Sequence, residues 1–354
     1  MSWRWLPVHD RSGASKIVIS RTADERDWNE TDSQRDPSSE LASSGFRIRP
    51  DHLKEFYQLD TKRALSAVGG TWSLVALSIG LAIWSHSAIA WLAAAVIVGR
   101  SQHALAVLMH DAAHFRLLED RRWNDFVGQW LCAFPIASNL YAYRNVHLRH
   151  HKFLLTDRDP DLSLSRGYPV TWPSFKRKLF RDAIGVSSLV MRGYVTVEKS
   201  GARLSLGNLF RRLSAPVIAR RVLAACLIGA IFYLGYGAAF IGLWLIALLT
   251  VYQVILRIRG VLEHADVDQD DGLRNARTIV SSNPLARFML NPHHVGYHLE
   301  HHLYPAVPHY HLPELHQALA SDGRFKSALV ETSYLRALRG LVTKPEVPAT
   351  VAAA

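Results

Sequence analysis

Five histidines fall within ten positions of the stretch HHVGYHLEHHLYP: His293, His294, His298, His301 and His302. Others are spaced in the same way. His110 and His114 frame HDAAH, His147, His150 and His151 frame HLRHH, and His264 closes VLEH. On a helix, residues three and four apart share a face. His110 and His114 therefore point one way, and each H-x-x-H-H triplet presents three imidazoles on one surface. Imidazole suits iron, zinc, copper and nickel. A single such pair is ordinarily a surface or capping feature. The chain has 18 histidines in 354 residues, and a random chain of that composition would show H-x-x-H-H roughly 0.04 times. Here it occurs twice.

His110, His114, His147, His150, His151, His264, His298, His301 and His302 make nine. That is too many for one ion and right for two, with four or five nitrogens each and a position open for oxygen. Structural zinc closes at four ligands and catalytic zinc keeps three from the protein. An all-nitrogen shell for two redox metals fits oxygen chemistry better than hydrolysis. Asp111, Asp157, Asp159, Asp161 and Glu263 are near enough in sequence to orient the rings, although Asp159-Pro160-Asp161 reads equally well as a turn. His103, on the same helix face as His110, reads as a packing or hydrogen-bonding residue. His293, His294, His309, His311 and His316 read as structural or supporting, with His294 an alternative to His264 as the ninth ligand.

These histidines need rigid elements to hold them. Of the chain, 49% is hydrophobic, concentrated in residues 64–99 and 222–256. A membrane span takes about 20 apolar residues, so each block fits a helical hairpin. Spans are expected at 64–84, 87–108, 219–236 and 238–258. The second is expected to continue as a helix past the membrane, since no Pro or Gly follows Gly99 there. The breaks at Ser85-His86 and Gly235-Tyr236-Gly237 carry no Lys or Arg. The segment between the blocks is rich in them, among them Arg144, Arg149, Lys176, Arg177, Arg181, Arg220 and Arg221, and the net charge is +11. The positive-inside rule then puts both termini and this segment in the cytoplasm. The basic face is expected to meet anionic headgroups and an acidic protein rather than nucleic acid.

The expected fold is an all-α integral membrane protein: four transmembrane helices in two hairpins, with a cytoplasmic helical cap holding a dimetal site. Residues 1–49 read as disordered, 50–320 as the membrane domain, and 321–354 as a C-terminal helix and loose tail. Residues 123–143 read as interfacial or re-entrant, 182–196 as an amphipathic surface helix, and 312–319 as a helix. Two cysteines, Cys132 and Cys226, exclude a four-thiolate cluster and a disulfide framework. MSWRWLPVHD has no apolar core of a cleavable signal.

The boxes HDAAH (110–114), HLRHH (147–151) and HLEHH (298–302) resemble those of the membrane-bound fatty acid desaturase superfamily. TDRDPDLS (156–163) is similar to the acidic stretch after its second box. NPHHVGYHLEHHLYPAVPHYHLPELH (291–316) is similar to the third-box region of bacterial acyl desaturases and related hydroxylases. His264 is similar in placement to the family's extra histidine after the last span. The resemblance covers about residues 60–320. It implies two iron ions, O2 as co-substrate, and removal of hydrogen from an unactivated C–H bond of an acyl-lipid or acyl-CoA. It leaves open hydroxylation, and alkane or carotenoid substrates. It also implies a bacterial inner (plasma) membrane, with the metal site cytoplasmic. The sequence contains no His-Pro-Gly-Gly haem segment and no cysteine set for a ferredoxin or rubredoxin. A separate ferredoxin, rubredoxin or cytochrome b5-like donor with its reductase is then implied, and a basic face suits an acidic donor. Trp72, Trp91, Trp130 and Phe134 are expected to line a substrate tunnel. A metal transporter would place ligands at mid-membrane depth, and a two-haem carrier would isolate its axial histidines; neither matches this pattern.

Overall fold

In the computed structural model of the protein, the backbone is described for residues 50–191 and 237–343, for 4–9, 15–20, 195–198 and 201–204, and for single positions between 222 and 235. Most of the expected third span, most of the expected disordered N-terminal segment and the C-terminal tail lie outside the described residues. Within the N-terminal segment, β1 (Arg4–His9) and β2 (Ser15–Ser20) pair antiparallel. The chain forms two compact units. One comprises Met1–Asp27, Leu59–Val146 and Arg181–Leu256; the other comprises Trp28–Gln58, His147–Phe180 and Arg257–Ala354.

The first unit is built on a helical hairpin. A short helix, α1 (Pro50–Phe56), precedes it in the chain. α2 (Thr61–Ser85) begins where the Asp60 carboxylate accepts from the Lys62 and Arg63 amides at 2.9 and 3.0 Å, satisfying donors that a helix start otherwise leaves open. It ends at His86, whose left-handed φ of 50° turns the chain. α3 (Ala88–Ala113) then runs back for 26 residues. At about 1.5 Å per residue that is about 39 Å, against a hydrocarbon core of about 30 Å. The helix is about six residues longer than that layer requires, and it runs on without a break after Gly99 to Ala113, as the sequence led us to expect. Leu77, Leu81, Trp84, Ile89 and Leu92 are each more than half exposed on this hairpin. Apolar exposure on that scale is what lipid covers.

α4 (Arg121–Val127) starts on an Asp120 cap and continues into a π-helical turn, Gly128–Ala133. The turn lies close against α3: a Cβ on Gly128 would collide with that of Ala112. Neither is long enough to span, in keeping with the interfacial reading of 123–143. α9 (Gly237–Leu249) completes the packing. Trp72 and Trp244 stack with centroids 5.4 Å apart, and their indole N–H groups donate to the carbonyls of Leu131 and Pro135. Trp72 and Trp91, expected in a tunnel, pack against this core, and Trp130 touches Phe134. Three helical stretches among the described residues are long and apolar enough to cross a membrane: Leu53–Ser85, Ala88–Ala113 and Ala239–His264.

In the second unit, α5 (Leu140–Lys152) contributes its last turns, and α10 (Val251–His264) its C-terminal half. α6 (Leu162–Ser165), the strand β3 (Val170–Thr171) and α7 (Trp172–Ala183) follow α5 in the chain. Back in the first unit, the expected surface helix of 182–196 is short, α8 (Val186–Met191); the chain there also forms the hairpin of β4 (Val195–Glu198) and β5 (Gly201–Leu204). After α10 come β6 (Thr278–Ile279), α11 (Pro284–Leu290), α12 (His298–Leu303) and α13 (Leu312–Ala320), the last where the sequence placed a helix. β7 (Val330–Glu331) pairs parallel with β6, and α14 (Tyr334–Leu341) leads to β8 (Val342–Thr343), which pairs with β3. Leu299, Leu303, Leu312, Leu315 and Leu319 form one core beneath α12. Val261, Leu262, Ala265, Tyr334, Ala337 and Leu341 form another.

Candidate metal centre

The second unit gathers seven of the nine singled-out histidines. The i, i+3, i+4 spacing places His147, His150 and His151 on one face of α5, and His298, His301 and His302 on one face of α12. The ligand-capable nitrogens of His147, His151 and His301 lie within 4.8 Å of one another, as do those of His150, His264 and His302. Nε2 of His151 is 3.0 Å from Nε2 of both His147 and His301. Nε2 of His264 is 3.2 Å from that of His150 and 2.7 Å from that of His298, which is 3.2 Å from that of His302.

Hydrogen bonding alone does not satisfy this arrangement. A ring nitrogen of neutral imidazole carries either a proton or a lone pair, so His264 Nε2 cannot donate to one neighbour and accept from the other. His150 is constrained further. Its Nδ1 donates to Asp159 Oδ1 at 2.9 Å, which leaves its Nε2 as a lone pair aimed at the cluster. Lone pairs facing one another from several rings fit a shared cation. Burial, with the neighbouring histidines adding to it, holds the His302 pKa well below the ordinary histidine value, so that ring is in its neutral, ligating form.

The carboxylates divide clearly. Asp159 is buried and accepts from His150, from Leu155 N–H at 2.9 Å and from Asp161 N–H at 2.8 Å. The turn and the ring-orienting reading of Asp159-Pro160-Asp161 are thus both realised. Burial raises the Asp161 pKa. Asp157 instead pairs with Arg166 at the surface. Glu263 pairs with Arg259 and lies 3.8 Å from His298 Nε2.

Behind α12 stands a support the sequence reading did not identify. Glu300 is fully buried between the ligand positions. Its carboxylate accepts from the Thr278 hydroxyl and from His316 Nδ1 at 2.5 Å, while Thr278 Oγ1 accepts from Leu299 N–H at 3.1 Å. One carboxylate therefore ties α12 to β6 and α13. Its signal was a Glu inside a histidine box, where a solvent-facing position would be the default. His316 falls in the supporting role expected of it. His294 is in neither convergent group among the described residues; its ring faces Tyr297, and burial lowers its pKa.

His110 and His114 belong to the first unit, at the end of α3, with ring centroids 5.0 Å apart. His110 Nδ1 is 3.5 Å from Asp111, and burial lowers the His114 pKa well below its ordinary value. Arg144, read from sequence as part of a basic face, is instead buried. Its guanidinium donates to the carbonyls of Ala112 and Ala113, pairs with Asp125 at 2.5 Å and lies over the Phe115 ring. It fixes the helix end that carries the two histidines. His103 is fully buried on α3.

Three proteins of known description are similar to this chain. A dihydrorhizobitoxine desaturase from Bradyrhizobium elkanii is 27% identical over 61% of this chain, and the match spans 63% of that protein's own length. An omega-3 fatty acid desaturase of the endoplasmic reticulum from Nicotiana tabacum is 27% identical over 85% of this chain and 84% of its own. A putative sphingolipid delta(4)-desaturase/C4-monooxygenase from Caenorhabditis elegans is 24% identical over 70% and 63%. The sequence model of the family described as fatty acid desaturase matches residues 85–331, a stretch that takes in all three histidine boxes and His264. With a match over more than half its length, the chain belongs to the fatty acid desaturase family.

Proposed function

We propose that the protein is a membrane-bound, O2-dependent desaturase that introduces a double bond into the chain of a lipid, an acyl-lipid or acyl-CoA. Two iron ions would be held by His110, His114, His147, His150, His151, His264, His298, His301 and His302. Overall, one O2, two electrons and two protons convert –CH2–CH2– to –CH=CH– and two waters. The observation that carries this reading is the convergence of Nε2 atoms in the second unit, with Asp159 fixing one ring in its ligating tautomer. Two donors about 2.1 Å from one ion lie about 3.0 Å apart at right angles and about 3.4 Å apart at tetrahedral angles. The observed separations of 2.7–3.2 Å are of the size that nitrogens sharing one ion would have.

Iron bound there would supply O2 reduction and the oxidising power for C–H cleavage. The protein supplies the rest. Asp159 orients His150, Glu263 places a carboxylate 3.8 Å from His298 Nε2, Glu300 holds α12 in place, and Arg144 holds the end of α3. With the span expected from the sequence over 219–236, the three apolar helices would make four crossings of a bacterial inner membrane, both termini and the histidines lying on its cytoplasmic side. Lys176, Arg177 and Arg181 are exposed on α7, a charge pattern suited to a separate acidic electron donor. A second reading, hydroxylation by the same centre, is favoured by one observation: the C. elegans relative is a putative desaturase and monooxygenase.

Anaerobic titration of the purified protein with Fe(II) tests the metal reading. Two ions per chain are expected, and His301→Ala should lower that number. Saturation at one ion, or indifference to His301→Ala, would sink it.

A further inference from the structure

The family match ends at residue 331, and the helix that follows reaches back to the metal centre. α14 starts on Ser333, whose hydroxyl accepts from Arg336 N–H at 3.3 Å. It buries Tyr334, Ala337 and Leu341, positions that share one face at helical spacing. The strand before it is held in register by β6, with Thr278 opposite Val330 and Ile279 opposite Glu331. Tyr334 is thereby set into a fixed place, 8% exposed.

Its hydroxyl is buried and makes no hydrogen bond among the described residues. An unmade buried hydrogen bond is costly, so its surroundings should explain it. The hydroxyl faces a small cavity of about 10 Å³, room for one water molecule. Arg259, Glu263, Arg277 and Gly296 wall it. Arg277 is committed elsewhere: its guanidinium donates to the carbonyls of Leu262 and Ala265. Arg259 pairs with Glu263. Glu263 is therefore the group that both lines the chamber and approaches a histidine of the centre, His298, at 3.8 Å. Burial pushes the Tyr334 pKa up to about 12, so the hydroxyl keeps its proton and acts as a donor. Gly296 tightens the same wall. A Cβ there would lie 2.8 Å from the Ile279 carbonyl and 3.0 Å from the Tyr334 hydroxyl.

We propose that Tyr334 is a positioning residue for the metal centre: through one water in this chamber its hydroxyl donates to the Glu263 carboxylate and holds that charge near the ligand nitrogen of His298. The inference rests on the metal-binding reading above. It makes the C-terminal helix, which lies beyond the family match, a working part of the site.

The test compares full-length wild type, Tyr334→Phe, Glu263→Gln and the double variant, each loaded with Fe(II). The rate of iron loss to excess ferrous chelator is followed, together with Tm. Losing an outer partner of the ligands ordinarily costs about 10–100-fold in metal affinity. Glu263→Gln should therefore release iron about 10-fold faster or more. Tyr334→Phe, one step further out, should release it roughly 3–10-fold faster. The double variant should be no faster than Glu263→Gln alone. Leu341→Ala loosens α14 without touching the chamber; it should lower Tm and multiply with Glu263→Gln. Wild-type iron retention by Tyr334→Phe would overturn the inference, and so would multiplicative effects of Tyr334→Phe and Glu263→Gln. A wild type that takes up two irons in either case leaves the metal reading standing; one that takes up none removes both.

Discussion

Asp159→Asn changes one atom and isolates the role of the carboxylate behind His150. Asp159 makes three hydrogen bonds of 2.8–2.9 Å, to His150 Nδ1, Leu155 N and Asp161 N. An asparagine can keep its oxygen on His150 and Asp161. Its amide nitrogen then faces the Leu155 N–H, donor against donor, and an unsatisfied buried donor costs about 1–3 kcal/mol. The bond to His150 also loses its charge. Hydrogen bonds to charged groups contribute about 1.5–3 kcal/mol and neutral ones about 0.5–1.5 kcal/mol, so about 1–1.5 kcal/mol is lost there. Only that second part bears on the metal, and it corresponds to roughly tenfold weaker binding, the low end of what removal of a ligand-orienting carboxylate costs. The assay is competition for Fe(II) against a chelator of known affinity, with Tm measured in parallel. Asp157→Asn is the control, because Asp157 pairs with Arg166 at the surface and exposed pairs contribute little. Asp159→Asn should lower both iron affinity and Tm, and Asp157→Asn neither. Iron affinity unchanged in Asp159→Asn would refute the tautomer argument, whatever happens to Tm.

Other consequences follow from the same contacts. Arg144→Met strands Asp125 and uncaps the end of α3; breaking a buried pair costs about 3–5 kcal/mol, so Tm should fall sharply, and Asp125→Asn in the same chain should recover part of it. Glu300→Ala leaves Thr278 and His316 without their acceptor, and thermal unfolding together with loss of iron should show it; a silent variant would mean α12 is held by its leucines alone. For pH, the sign follows from His302 and His114, whose pKa values burial lowers in the folded state. Below about 6.5, the unperturbed histidine value, the unfolded chain binds protons that the folded chain does not. Stability of the metal-free protein should therefore fall as pH drops below about 6.5 and stay flat with respect to these groups above it; a Tm series from pH 8 to pH 5 reads this directly.

Much of the fold was legible because its signals are local. Apolar blocks of span length, a charge-free turn at Ser85-His86 and helical spacing within each histidine box need only a few neighbouring residues to be read. The supports were harder, because each joins residues far apart in the chain. Glu300 meets Thr278 and His316, Arg144 meets Asp125 and the end of α3, and Tyr334 and Glu263 line one cavity. No periodicity announces such pairs. Arg144 also carried a misleading signal: a basic residue in a basic segment reads as surface, whereas here the charge is consumed by two carbonyls and a carboxylate. Asp159 stood between two readings in sequence because a turn residue and a ring-orienting residue look alike until the ring is placed beside it. The proposed substrate has no local signature at all, since an alkyl chain is recognised by shape.

Lipid extracts from a host that expresses the wild type or His301→Ala, with ferredoxin and its reductase supplied, bring the chemistry itself into view by mass spectrometry. A product two hydrogens lighter than its parent, present with the wild type and missing with His301→Ala, is the expected result. A product one oxygen heavier would instead assign hydroxylation to the same histidines. An unchanged lipid profile from iron-loaded wild type, or the same product from His301→Ala, would contradict the proposal that these histidines carry out oxygen-dependent chemistry on a lipid chain.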